Sequence, residues 1–384
     1  MENENVKITV IREGYKSLAK EVREASHGGR VLLFTEEGVA GEDAAAAMTF
    51  EGLRLVRRNV PSKGADELYA ELQKPPEGIM AAVAVGGVAP IEAAKAAHIP
   101  SAIPKILFPT ESDALSAADD RVFFAAKEEL PTARSLGHTV LFSPEILSSS
   151  PLRPTLGFLT AMLLEETDGA YEKLLLTGET PATALRAIKE KAKLLSELRE
   201  EKGGEDAVNA ALSLLKLSEN APRAGSAHTL AMLAARKTGG SFPDYLFPAA
   251  YALYLMYDGY LGTLPLEHCP PPDRAKNLRF LSVKCGISPS LFHKRQQTYA
   301  QGYEERWRLT AEYREDFLET LRALPMAELS RLYRRAKEGE KHSPPLTASE
   351  LLMLLSLTGE AVSGYPLIKH VKMTGLIEPL LKCG

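Results

Sequence analysis

The stretch Val83-Ala-Val-Gly-Gly-Val-Ala-Pro-Ile-Glu-Ala-Ala-Lys95 is the part of the sequence best suited to hold a charged ligand. An apolar run ends in Gly86-Gly87, and a helix-forming segment begins within a few residues. Two glycines at such a junction let backbone N–H groups come close to a diphosphate, whose charge the start of a helix favours. The same pair also serves a tight strand-to-helix turn that needs glycine for its backbone angles alone. His228 shares a helical segment with Leu230, Met232 and Leu233, a setting that suits an interior, hydrogen-bonded histidine. Other common chemistries lack their residues: there is no Walker-type Lys-Ser/Thr loop, no Gly-x-Ser-x-Gly elbow and no Cys/His nucleophile pair.

Ile91-Glu92-x-Ala94-Lys95 follows the two glycines, and the next apolar run ends in Pro109-Thr110. Together these residues resemble the nucleotide-binding region of the dehydroquinate synthase-like superfamily. That superfamily includes iron-containing alcohol dehydrogenases, glycerol dehydrogenases and glycerol-1-phosphate dehydrogenases. Its pattern is three glycines, three variable residues, Asp-x-x-Lys and a later Pro-Thr. Here Val88 stands at the third glycine and Glu92 at the aspartate. The resemblance implies an NAD or NADP cofactor bound by Gly86, Gly87, Glu92, Lys95 and Thr110. It also implies a place near nicotinamide and substrate for Asp113, in a loop shorter than is usual. The Gly-Gly-Lys that follows Pro-Thr in the dehydroquinate synthase branch is absent, so the resemblance leans toward the glycerol-1-phosphate and glycerol dehydrogenases.

Pro222-Arg-Ala-Gly-Ser-Ala-His-Thr-Leu-Ala-Met232 is similar to the Gly-Ser-Glu-His-x-x-Ser-His stretch of the glycerol-1-phosphate dehydrogenases. The first histidine of that stretch, a zinc ligand in the family, is His228 here. The glutamate before it is Ala227, and the second histidine is Met232. The family's first ligand, a carboxylate, aligns with Thr160 in Gly157-Phe-Leu-Thr160, and its last, a histidine, with Phe247-Pro248. A catalytic zinc or iron needs about three protein ligands and an open position. The resemblance therefore implies a degenerate site, with no catalytic zinc or iron. Glu165, Glu166 and Asp168 stand one to two turns beyond Thr160. At about 1.5 Å per residue they are too far along the axis to replace it. They are expected to be solvated or capping carboxylates. Asp113 and His228 are the candidate pair for proton transfer, since histidine titrates near neutrality.

The elements that must position these residues change character along the chain. Val6–Val10, Arg30–Phe34, Leu53–Val60, Gly78–Val85 and Pro104–Pro109 read as strands, with helices at Tyr15–Ser26, Ala44–Met48, Gly64–Leu72 and Pro90–His98. Apolar strands spaced by helices imply a parallel sheet covered on both faces. From Leu152 the spacing becomes helical: Leu152–Leu176, Thr180–Leu198, Asp206–Leu217, Gly225–Lys237, Tyr245–Leu261, Glu304–Lys337, Ala348–Leu357 and Pro366–Leu381. The expected architecture is an α/β, Rossmann-like nucleotide-binding lobe over residues 1–150. An all-α helical lobe over 151–384 completes it, with a cleft between the two.

Composition narrows the function classes without choosing among them. With 384 residues, 45% hydrophobic, and a net charge of −4, the chain has no apolar run long enough for a membrane helix and no basic excess for nucleic acid. Cys269, Cys285 and Cys383 have neither disulfide nor metal-ligand spacing, and the start lacks an apolar signal core. A cytoplasmic setting is expected. The basic cluster around Arg331, Arg334 and Arg335, like His293-Lys-Arg295, is expected on a solvated face, and Tyr245, Tyr251, Tyr254, Tyr257 and Tyr260 in packing. The functional expectation is an oxidoreductase-superfamily protein that binds NAD(P) in the cleft, acts on a small polyol-like ligand, and has altered or lost metal chemistry. A homodimer fits the resemblance. The alternative is a non-catalytic descendant that senses a ligand or binds a partner.

Overall fold

Short, mostly apolar runs become the strands of one parallel sheet, buried on both sides at its centre and partly exposed at its two edges. They are β1 (Val6–Val10), β2 (Arg30–Thr35), β3 (Arg54–Asn59), β4 (Ile79–Gly86), β5 (Lys105–Pro109) and β6 (His138–Phe142). A computed structural model describes residues 6–60, 72, 74–118, 122, 135, 137–149, 151–199, 209–210, 225–264, 302–336, 344–362 and 364–374. The three cysteines, the His293-Lys-Arg295 cluster, and most of the helices expected at Gly64–Leu72 and Asp206–Leu217 lie outside them. The strand order is β1-β6-β5-β4-β2-β3, and every pair is parallel.

Parallel neighbours need crossovers, which helices supply. α1 (Gly14–Ala25) and α2 (Val39–Phe50) bury Leu18, Val22, Ala44 and Met48 against Val31, Leu33, Val83, Val85 and Phe108 in one core. α3 (Val88–Ala96) follows β4, and its crossover runs the other way along the sheet. The right-handed rule places it on the opposite face. β6 was not expected: Thr139-Val-Leu-Phe142 is a β-favouring run, but the strand is only five residues long between Gly137 and Ser143-Pro144.

The chain divides into two compact units, Met1–Thr155 with Glu200–Glu219 and Leu156–Arg199 with Asn220–Gly384. After the short α4 (Pro144–Leu147), the chain enters α5 (Leu152–Thr177), α6 (Ala182–Ser196), α7 (Ser226–Thr238) and α8 (Phe242–Gly262). The single amphipathic stretch expected over Glu304–Lys337 is three helices: α9 (Tyr303–Glu312), α10 (Arg314–Ala323) and α11 (Met326–Arg335). Pro325 explains the second break, since it forces Leu324 into an extended conformation, with ψ 129°. α12 (Ala348–Ala361) and α13 (Leu367–Met373) follow. α8 is apolar on nearly every face because α7, α10 and α13 all pack on it. Among the described residues no helix is long and apolar enough to cross a membrane.

Candidate functional site

β2 feeds its crossover outward to β3, while its neighbour β4 feeds one the other way to β5. Open parallel sheets bind ligands beyond the carboxyl ends of their strands at such a switch point. Gly86 ends β4 there, one residue past the Thr35–Val85 pairing with the end of β2. Gly86 has φ 141°, and a Cβ on it would lie 2.6 Å from Glu36 Oε1 and 2.7 Å from Pro90 Cγ, so only glycine fits. Gly87 sits at the N-cap of α3. The Thr110 N–H donates to Gly86 O at 3.0 Å, which stitches the Pro109-Thr110 corner to the glycine turn. Gly86, Gly87 and Thr110 are thus brought together.

Two carboxylates share this turn. The Gly87 N–H donates to Glu36 Oε1 at 2.6 Å, and a Cβ on Gly87 would lie 3.0 Å from Glu111 Oε2. Desolvation first, and Glu36 second, push the Glu111 carboxyl above its ordinary range. Glu92 and Lys95 bond to each other and to Ser116. Lys95 Nζ donates to Glu92 Oε1 at 2.8 Å and to Ser116 O at 3.2 Å, while Ser116 Oγ donates to Glu92 Oε1 at 3.2 Å. Both side chains are almost fully buried, and the triad fastens α3 to the 3-10 helix Ser112–Ala118. The backbone of Asp113 lies in that 3-10 helix; its side chain lies outside what is described.

In the second unit His228 opens α7 among buried neighbours. Its backbone N–H donates to Glu165 Oε1 at 3.0 Å, and its Nδ1 lies 2.7 Å from the same oxygen. An oxygen that already accepts from the backbone makes the ring N–H the second donor. Phe158 meets the imidazole edge-on and Phe242 tilts against it. Asp168, one turn beyond Glu165, is fully buried, accepts from Tyr257 OH at 2.8 Å and from the Leu367 N–H at 3.2 Å, and has Ser226 beside it. Its carboxyl is pushed up to about 7, chiefly by burial.

No family model and no curated protein matches the sequence. The solved structures give a different result. An alcohol dehydrogenase from an archaeal halo-thermophile of a Red Sea brine pool superposes with a TM-score of 0.57 at 13% identity, over 98% of this chain and 97% of that one. The NADH-dependent butanol dehydrogenase A of Thermotoga maritima gives 0.55 at 14%, over 100% and 97%. An iron-containing alcohol dehydrogenase from Thermococcus thioreducens gives 0.51 at 18%, over the whole of both chains. The fold is that of the iron-containing alcohol dehydrogenases.

The positions that the resemblance assigns to metal ligands hold groups with partners of their own. Thr160 Oγ1 donates to Leu156 O at 2.7 Å, closing on its own helix. The Phe247 ring stacks on Tyr333 with centroids 4.2 Å apart. A Cβ on Gly157 would lie 3.2 Å from the Phe247 backbone nitrogen, so α5 passes close against the start of α8. Met232 and Ala227 are buried in α7. Among the described residues, no three His, Cys, Asp or Glu side chains converge as a metal site would require.

The expectation that Glu165, Glu166 and Asp168 are solvated or capping carboxylates is overturned. Glu165 and Asp168 are buried, and Glu166 is paired with Lys191. A carboxylate too far from Thr160 to replace it is well placed to reach across to α7. Glu36 and Glu111 carried no motif of their own, although each stands one or two residues past the carboxyl end of a strand, after Phe34-Thr35 and Pro109-Thr110. The tyrosines of α8 do pack: Tyr245, Tyr257 and Tyr260 are buried. Arg331, Arg334 and Arg335 are exposed on α11.

Proposed function

We propose that this chain binds NAD or NADP at the Gly86–Gly87 turn and that its oxidoreductase chemistry, if retained, does not run through a metal at the family's position. The observation that carries this reading is the glycine turn at the switch point of a parallel sheet, with Thr110 stitched to it. The Gly87 amide at the start of α3 supplies a donor of the kind a diphosphate uses, and the missing side chain at Gly86 lets a ligand come close. A bound nicotinamide would supply hydride exchange with a small alcohol or carbonyl compound, the polyol and polyol-phosphate class being the first to test. Asp113, just beyond the Pro109-Thr110 corner, is the group proposed for moving the proton.

Thr160 and Phe247 favour a second reading, in which the fold holds a nucleotide or small ligand without turning it over. The two are separated by one pair of measurements. Titration with NADH and NADPH should raise the melting temperature by ligand linkage. Oxidation of NADH by a panel of small aldehydes and ketones should then distinguish enzyme from sensor. No thermal shift at millimolar nucleotide would defeat nucleotide binding at the turn in either reading.

A further inference from the structure

The turn that would receive a diphosphate already holds negative charge. The Gly87 amide is committed to Glu36 Oε1 at 2.6 Å, and Glu111 Oε2 stands 3.0 Å from where a Gly87 side chain would begin. Among the described residues no lysine, arginine or histidine is paired with either carboxylate. The nearest charged pair on α3, Glu92 with Lys95, is turned toward Ser116. Glu36 comes from the end of β2 and Glu111 from the end of β5, so two strands deliver like charges to the same turn. An anionic ligand group would compete for the amide that Glu36 holds and would face both carboxylates at close range.

We propose that Glu36, backed by Glu111, is a charge gate on the glycine turn: its carboxylate holds the Gly87 amide in the free protein and must leave before an anionic group can take that amide. The gate rests on the reading of this turn as the nucleotide site, and it sets which ligands enter. A weakly charged ligand passes at little cost, whereas a diphosphate binds only by displacing Glu36 from its hydrogen bond. Glu111 leaves a second negative charge at the turn, which an anionic group meets even after Glu36 has moved.

The test is titration calorimetry at neutral pH and fixed ionic strength, with NADH and with inorganic pyrophosphate. It compares the wild-type protein with Glu36→Gln, Glu111→Gln and the control Glu37→Gln, an exposed neighbour outside the turn contacts. Glu36→Gln and Glu111→Gln are each expected to bind both probes about tenfold tighter, with Glu37→Gln unchanged. Equal or weaker binding by the first two variants, or equal tightening by Glu37→Gln, would overturn the gate while leaving the nucleotide reading in place. Absence of binding by all four proteins would overturn the nucleotide reading and the gate together. Two independent variants on separate strand ends keep the outcome readable if one of them folds poorly.

Discussion

Glu165 Oε1 accepts two hydrogen bonds from one residue, His228, at 3.0 Å from the backbone N–H and 2.7 Å from the ring Nδ1. The pair ties α5 to α7 where both side chains are out of water. Removing one partner of a buried pair costs about 3–5 kcal/mol. Glu165→Ala is therefore expected to lower the melting temperature sharply and His228→Ala to do much the same. The double variant should cost less than the sum of the two. Additive losses in chemical denaturation would show that the residues do not act as a pair.

The positions aligned with metal ligands give a second prediction. Dialysed wild-type protein is expected to retain well under one equivalent of zinc or iron by elemental analysis. Thr160→Asp, Met232→His and Phe247→His combined are expected to raise retention if the three positions converge near His228. Stoichiometric metal in the wild type would overturn the assignment of Thr160 and Phe247 to those positions.

Asp168 predicts a pH dependence with a definite sign. Its carboxyl is pushed up to about 7 by burial, so the folded protein keeps a proton that the unfolded chain releases near pH ~4. Between roughly pH 4 and 7 the folded state binds more protons, and stability falls as pH rises through that window, by at most about 1.4 kcal/mol per unit. Asp168→Asn should flatten this part of the profile. Denaturation midpoints measured across the window for both proteins would check it; parallel curves would exclude Asp168 as the source.

A fourth prediction concerns Glu92 and Lys95, which tie α3 to the 3-10 helix. Lys95→Met removes the cation beside a buried carboxylate and is expected to cost about 3–5 kcal/mol. Glu92→Leu combined with Lys95→Met should recover much of the loss. Nucleotide affinity should stay within a few-fold of wild type in the double variant, measured by thermal shift with NADH. A complete loss of binding would place Lys95 on the ligand instead.

Alternation of strand and helix made the sheet legible, because parallel strands buried on both faces read as plain apolar runs between glycine and proline. The glycine turn and Pro109-Thr110 were legible for the same reason, being punctuation with a geometric purpose. What was not legible depends on distance through space. No spacing rule reveals that Glu165 reaches His228 across two helices, or that Glu36 and Glu111 meet over Gly87 from separate strand ends. β6 escaped because five residues carry little periodicity, and the break at Leu324 because a charged amphipathic pattern continues on both sides of Pro325. The capping box Thr347-Ala-Ser-Glu350 shows the contrary case. Its two reciprocal hydrogen bonds lie within four residues, so the start of α12 is written locally.

The place of β1 in the sheet has a temporal consequence. Val6 is bonded in register with His138 and Val10 with Phe142, so among the described residues the first strand of the sheet to leave the ribosome pairs only with the last. β1 must wait, unpaired, while on the order of a hundred further residues are made. Closing so long a loop before any pairing is gained is slow. The sheet is expected to assemble outward from β2, β4 and β5, the central strands, with β1 docking last. During that interval the edges of β5 and β6 are open to any extended peptide. The nascent chain is thus most exposed to misassembly just before β6 is complete, when the glycine turn is already formed but the sheet is not.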